Sequence, residues 1–160
     1  MSVTMVDKDT EALTMAITTE LDAPVERVWQ LWADPRQLER WWGPPTYPAT
    51  VVEHELAVGG KVAYYMTGPE GDRHDSWWRV TAVEHPHRLE FEDGFGDADD
   101  PNPEMPISNM RVTLTGRSDG GTTMTIVTQF ESAEGMERLI AMGMEEGMTL
   151  AIGQIDALLD

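Results

Sequence analysis

The chain has 160 residues, no cysteine and a formal net charge of −18. This length suits one domain, and a chain without cysteine has no disulfide, thiolate zinc site or cysteine nucleophile. The negative charge argues against nucleic acids as partners, because proteins bind them through lysine and arginine. No apolar run approaches the roughly 20 residues of a membrane span, and Met1–Asp9 lacks the pattern of a signal peptide. We therefore expect a cytoplasmic protein that does not insert into membranes.

The N-terminal residues are polar, and we expect a flexible tail over residues 1–11, followed by a single domain over residues 12–160. From Leu13 onwards apolar and polar residues alternate, with Met15 and Ile17 on the same side as Leu13. A period of two is typical of a strand with one buried face. The first strand of the domain is therefore predicted here.

Two short helices are predicted after this strand. Pro24 suits the first turn of a helix, because its missing N–H would have no partner there, and the helix continues over Val25–Ala33. Asp34-Pro35 repeats the same start signal. The second helix is shorter than the first and ends at Gly43, which is followed by two prolines.

Six further stretches have the composition of strands and are separated by turn-forming residues. They are Ala49–Val58, Lys61–Thr67, Ser76–Val83, Arg88–Asp93, Asn109–Gly116 and Thr122–Glu131. Short connections favour antiparallel hairpins, because parallel strands need long crossovers. The connection Gly94–Pro106 is longer, acidic, and rich in proline and glycine. A loop of this kind is a candidate lid.

The chain ends with helical apolar spacing from Ala133 to Leu159. At 1.5 Å per residue this helix would span roughly 40 Å. An open sheet has one apolar face to cover, and this helix is the only predicted element large enough to cover it. The order of elements predicts an α+β fold: a curved antiparallel sheet of about seven strands wrapped around one long C-terminal helix, with two short helices after the first strand.

Three sets of motifs carry a resemblance to a known family. They are Ala23–Trp29 with Trp41-Trp42-Gly43-Pro44, Val58-Gly59-Gly60-Lys61 with His85-Pro86-His87, and Gly120-Gly121-Thr122 with Gly143-Met144-Glu145-Glu146-Gly147. In order and spacing, residues from about 13 to 159 resemble the bacterial activator of Hsp90 ATPase homologue (AHSA1-like) family. This family belongs to the START-like or SRPBCC superfamily, which also holds polyketide cyclases and lipid-transfer domains. The resemblance implies a helix-grip fold, with a START-like domain that encloses a cavity.

Strand alternation and helical spacing predict which side chains face the interior. In Ala49–Val58, for example, Val52, His54 and Leu56 are expected to share the inner face. For the pair Trp77-Trp78 the alternation leaves the choice open, and the second tryptophan is preferred. The candidate ligand-binding residues are Trp41, Trp42, His54, Tyr64, Met66, Trp78, Phe91, Phe95, Met110, Thr128, Met144 and Met148.

These residues favour the binding of a small hydrophobic or aromatic ligand in an internal cavity, by a carrier, sensor or sequestering protein. Two alternatives stay open: an enzyme of cyclase, dehydratase or hydrolase type that uses the same cavity, and a protein-interaction module like the chaperone activator. His54 is the candidate for acid–base catalysis, because histidine ordinarily titrates near neutrality. The sequence has no cofactor motif and no metal-site motif, and we expect a monomer or a homodimer.

Overall fold

An open antiparallel sheet is the framework of the fold in the computed structural model, which describes residues 3–101 and 103–159. Within these residues its strands are β1 (Val3–Asp9), β2 (Thr14–Leu21), β3 (Ala49–His54), β4 (Lys61–Thr67), β5 (Arg73–Glu84), β6 (Arg88–Asp97), β7 (Asp100–Pro101), β8 (Ser108–Gly116) and β9 (Thr122–Phe130). They lie in the order β1-β2-β9-β8-β6-β5-β4-β3, and β7 pairs with β6. The α+β class is confirmed, with nine strands in the described residues where about seven were expected.

Strand β1 lies where the sequence predicts a flexible tail. Residues 3–9 pair antiparallel with β2, and Lys8 makes an ion pair of 2.5 Å with Glu145 near the C-terminus. The tail prediction is therefore wrong for these residues. An edge strand has no neighbour on one side, and four of the five residues from Met5 to Asp9 are exposed, so this stretch lacks the apolar alternation that marks a strand with one buried face.

The two short helices are present at the predicted places, as α1 (Val25–Ala33) and α2 (Pro35–Trp41). The side chain of Asp34 accepts a hydrogen bond of 2.9 Å from the backbone N–H of Arg36 and so caps α2. The chain then turns tightly at Gly43, where a Cβ atom would lie 2.2 Å from the carbonyl oxygen of Tyr47. This turn fixes the end of α2 beside the start of β3.

The C-terminal helical region is interrupted twice, so the prediction of one continuous helix is wrong. Its helices are α3 (Ala133–Ala141), α4 (Met144–Ile152) and α5 (Ile155–Leu159). Gly143 has a φ of +92°, in the left-handed region that ends helices and favours glycine. The second interruption is at Gly153, which directly follows the last residue of α4. Apolar spacing continues through both glycines, which is why the pattern predicts a single helix.

The inner face of the sheet and the helices enclose the core. In β9 every second residue from Thr122 to Phe130 is buried, as the alternation predicts. A bulge in β3 between Val51 and Glu53 breaks this rule: Val51 is buried whereas Val52 is 61% exposed. The prediction that Val52 faces inward is therefore wrong, because an extra residue in a strand reverses the parity beyond it.

The predicted loop Gly94–Pro106 is partly strand. Strand β6 continues to Asp97 and pairs with β7, so that Gly96 lies opposite Pro101. A Cβ atom at Gly94 would lie 2.3 Å from the ring of Trp77, which packs on that side of the sheet. None of the helices in the described part of the chain has the length and apolarity that crossing a membrane requires.

Candidate ligand-binding cavity

A cavity of about 520 Å³ lies between strands β4, β5, β6 and β8 on one side and helices α3 and α4 on the other. Eight of the candidate residues line it: Trp41, Trp42, Tyr64, Met66, Phe95, Met110, Met144 and Met148. They come from three regions far apart in the sequence, namely the end of α2, the sheet, and α4. The fold therefore brings most of the predicted site to one place.

Four candidate residues lie outside the lining. The Nε2 atom of His54 is 3.0 Å from the carbonyl oxygen of Trp32, so this ring is held by the backbone of α1 and does not face the cavity. The rings of Trp78 and Phe91 stack with centroids 4.0 Å apart and 17° between their planes. Thr128 is completely buried in β9. None of these four residues lines the cavity, so their ligand-binding role, and the acid–base role of His54, stay predictions from the sequence that the cavity geometry does not support.

An aromatic cluster forms the closed end of the cavity. Trp42 has edge-to-face contacts with Trp78 at 5.0 Å, with Trp41 at 5.5 Å and with Tyr64 at 6.3 Å between ring centroids. Edge-to-face pairs of this kind add to the stability that burial itself provides. The side-chain amide of Gln154 donates to the carbonyl oxygen of Gly43 at 2.7 Å, which ties the residues after α4 to the turn that carries Trp42.

Helix α4 forms the opposite wall. Met144, Gly147, Met148 and Ala151 recur at helical spacing and all line the cavity. A Cβ atom at Gly147 would have no heavy atom within 4 Å, so the wall has free space in front of this glycine. Methionine side chains are flexible and adapt to irregular apolar shapes. This wall is therefore both apolar and deformable.

Polar groups are concentrated on the sheet side of the cavity. Tyr64, Ser76, Asp93 and Ser108 come from four strands, and Asp93 lies directly opposite Ser108 in the register of β6 and β8. We call these four residues the polar floor. Asp93 is not among the residues predicted for the site from the sequence, although the alternation that buries Leu89 and Phe91 continues to it. Glutamates on either side of Phe91 and the predicted end of the strand made Asp93 resemble a solvated residue.

Burial governs the protonation of the polar floor. Removal from water raises the pKa of Asp93 to about 7, although a hydrogen bond of 3.4 Å from the hydroxyl of Tyr64 opposes the shift. Burial also raises the pKa of Tyr64, as does the charge of Asp93, so the phenol stays protonated. At neutral pH the carboxyl group is divided between its two forms. A group of this kind can accept or donate a proton near neutrality.

The indole N–H groups of Trp42 and Trp78 lie near the phenol oxygen of Tyr64 and act to lower its pKa. Neither indole nitrogen meets the geometry of a hydrogen bond to a partner among the described residues, so the two indoles are neighbours of the phenol and not its hydrogen-bond donors. The hydrogen bond that the Tyr64 hydroxyl makes is the one it donates to Oδ1 of Asp93.

The cavity opens to solvent near Tyr47, His74 and Met142, which line it and are themselves exposed. Met105 closes part of this side, and Arg138 of α3 holds it: one guanidinium N–H donates to the carbonyl oxygen of Glu104 at 2.6 Å and another contacts the Met105 sulfur at 3.3 Å. Within residues 3–101 and 103–159, no group of three histidine, aspartate or glutamate side chains could hold a metal ion.

The model of the family described as Activator of Hsp90 ATPase homolog 1-like protein matches residues 22–160. The chain belongs to this family. The match contains α1, α2 and every cavity-lining residue, so the whole site lies within the family's domain. The predicted family and its START-like fold are confirmed.

Solved structures of the same fold agree with this membership. A protein from Arthrobacter aurescens is 54% identical, with a TM-score of 0.93 over 99% of this chain and 92% of that one. Protein Ms6760 from Mycobacterium smegmatis is 51% identical, with a TM-score of 0.90 over 99% and 97% of the two chains. CalU16 from Micromonospora echinospora is 18% identical and has a TM-score of 0.60 over 92% and 76%, which shows the fold alone. No curated protein matches this member of the AHSA1-like family.

Proposed function

We propose that this protein binds a small hydrophobic or aromatic molecule in the cavity between the sheet and helices α3 and α4, as a carrier, sensor or sequestering protein. The observation that carries the proposal is the cavity itself, with about 520 Å³ of space and a largely apolar lining that includes six methionines and two tryptophans. Cavities that hold small ligands measure about 300–1,000 Å³ and are lined mainly by apolar and aromatic groups.

The dense packing of the rest of the core supports the idea that the cavity holds a ligand. Protein interiors are packed as densely as organic crystals, and voids larger than a water molecule are few. Beside the cavity, the rings of Trp32 and Trp41 are packed 4.8 Å apart and are completely buried. A sequence that packs its aromatic residues this closely could fill the space in front of Gly147 with one larger side chain. The small residue at this position supports a ligand as the natural occupant.

Titration with 2-methylnaphthalene tests the proposal. This probe has an apolar aromatic body, no polar group, and a size well within the cavity. We expect saturable binding of one molecule per chain by calorimetry, and a melting temperature that rises with probe concentration, because a ligand that binds only the folded state stabilises it. An absence of saturable binding, together with an unchanged melting temperature, would overturn the proposed function.

A further inference from the structure

The cavity has two chemically different sides, and the difference bears on the ligand. Helix α4 presents only apolar groups, such as Met144 and Met148, whereas the sheet side holds the polar floor. A ligand that fills the cavity therefore has its apolar body against α4 and one end against strands β4, β5, β6 and β8. The identity of that end depends on what the polar floor can bind.

Asp93 has hydrogen-bonding capacity that the protein leaves unused. Its Oδ1 atom accepts one long hydrogen bond from Tyr64, and no lysine or arginine in the described part of the chain pairs with it. An ionised carboxylate has about four acceptor sites. Because Asp93 lines the cavity and is only partly covered, its remaining sites face the space that a ligand would occupy. A half-buried acid without a cation is destabilising, which marks it as a functional group.

The neighbours of Asp93 make the floor suitable for a hydroxyl group. The hydroxyls of Ser76 and Ser108 line the same part of the cavity and can either donate or accept. A ligand hydroxyl can therefore donate to Asp93 and accept from a serine. Where Asp93 is ionised, a ligand carboxylate would place a second negative charge beside it, in a protein whose formal charge is already −18, and like charges at close range repel strongly where water is scarce.

We propose that the polar floor selects an apolar or aromatic molecule that carries a hydroxyl group and excludes one that carries a carboxylate, with Asp93 as the specificity-determining residue. This inference rests on the proposed function and narrows it to a ligand class. It separates hydroxylated aromatic or aliphatic compounds from fatty acids and aromatic acids, which share the same apolar bodies.

Three probes with one body test the selection: 2-naphthol, 2-methylnaphthalene and 2-naphthoate, titrated by calorimetry at a pH of about 8.5, where Asp93 is ionised. We expect 2-naphthol to bind about tenfold more tightly than 2-methylnaphthalene, because a hydrogen bond to a charged group contributes about 1.5 kcal/mol or more. We expect 2-naphthoate to bind more weakly than either. Equal affinities for the three probes would overturn the proposed preference for a hydroxyl group but leave the proposed ligand-binding function standing. If none of the probes binds, both proposals are overturned.

Variants of Asp93 test whether this residue determines the preference for the hydroxyl over the carboxylate. In Asp93→Leu the affinity ratio of 2-naphthol to 2-methylnaphthalene should fall towards one, and the penalty on 2-naphthoate should disappear. Asp97→Leu makes the same change at the exposed end of β6 and should keep the wild-type ratios. If Asp93→Leu does not fold, Asp93→Asn gives the second readout, since it removes the charge with little change of shape and should relieve the penalty on 2-naphthoate. Wild-type ratios in the Asp93 variants would assign the selection elsewhere.

Discussion

The hydroxyl of Tyr64 donates to Oδ1 of Asp93 across 3.4 Å, and this is the only hydrogen bond that the Asp93 carboxyl receives from residues 3–101 and 103–159. Hydrogen bonds between two oxygen atoms usually measure 2.5–3.0 Å, so this one stabilises the carboxylate little. Burial is the larger effect and raises the pKa of Asp93 from 3.8 to about 7. The protein therefore holds an acid whose ionisation is harder in the folded chain than in the unfolded one.

The stability of the protein should depend on pH through Asp93. Its contribution is fully present below about pH 4 and is lost as the pH rises through about 7, because the unfolded chain releases this proton more readily. Relative to Asp93→Asn, we expect the free energy of unfolding of the wild type to fall by about 2 kcal/mol between pH 5.5 and 8.5. Urea titrations of both proteins at several pH values measure this difference in the free energy of unfolding. The variant cancels the contribution of all other titrating groups, and parallel curves for the two proteins would contradict the assignment.

Filling the space at Gly147 should weaken binding without harming the fold. Gly147→Ala should stabilise α4 by about 1 kcal/mol, since glycine is a poor helix former, and Gly147→Leu should place a side chain in the cavity, where a Cβ atom meets nothing within 4 Å. We expect Gly147→Leu to weaken 2-methylnaphthalene binding by more than about tenfold, or about 1.4 kcal/mol. Calorimetry measures the affinity, and thermal unfolding reports the fold.

The matched control for Gly147→Leu is Glu146→Leu, which adds the same side chain to an exposed position of the same helix. It should bind the probe as the wild type does. If both leucine variants bind normally, the probe occupies a different place, and the assignment of the cavity as the binding site is wrong.

His54 should matter for stability and not for binding. Its ring nitrogen is 3.0 Å from the carbonyl oxygen of Trp32 and links β3 to α1. His54→Ala removes this hydrogen bond, and a loss of about 1 kcal/mol in the free energy of unfolding is expected. The affinity for 2-methylnaphthalene should remain that of the wild type. Urea unfolding measures the stability and calorimetry measures the affinity. A large loss of affinity with normal stability would contradict this prediction and indicate that His54 takes part in ligand binding.

The fold follows from the sequence where alternation and turn residues agree. Strand β4 occupies Lys61–Thr67, as predicted, because apolar residues alternate along it and glycines bound it on both sides. Alternation fails where the backbone departs from a regular strand. The bulge in β3 reverses the face of Val52, and no residue in that stretch marks the bulge in advance.

The site follows from the sequence only in part, because facing inward and lining a cavity are different properties. Phe91 and Met110 lie opposite each other in β6 and β8, and both face the interior. Trp78 stacks on Phe91, which is thereby covered, whereas Met110 reaches the cavity. Which of the two is covered depends on residues distant in the sequence, so the alternation predicts the face and cannot predict the void.

Arg138 should control how fast a ligand enters and leaves. Its guanidinium group holds the carbonyl oxygen of Glu104 and the sulfur of Met105, and Met105 lines the open side of the cavity. Arg138→Ala frees this segment from α3. A route beside Met105 requires this segment to move for both entry and exit, so association and dissociation should both become several-fold faster, while the equilibrium affinity changes little.

Stopped-flow measurements with 2-naphthol determine both rate constants for Arg138→Ala. Arg111→Ala removes an exposed arginine from β8, away from the cavity lining, and serves as the control, with rate constants expected to equal those of the wild type. Faster dissociation in Arg138→Ala alone would place the exit beside Met105. Unchanged rate constants in both variants would mean that the ligand passes elsewhere, and the gap beside Tyr47 and His74 would then be the remaining route among the described residues.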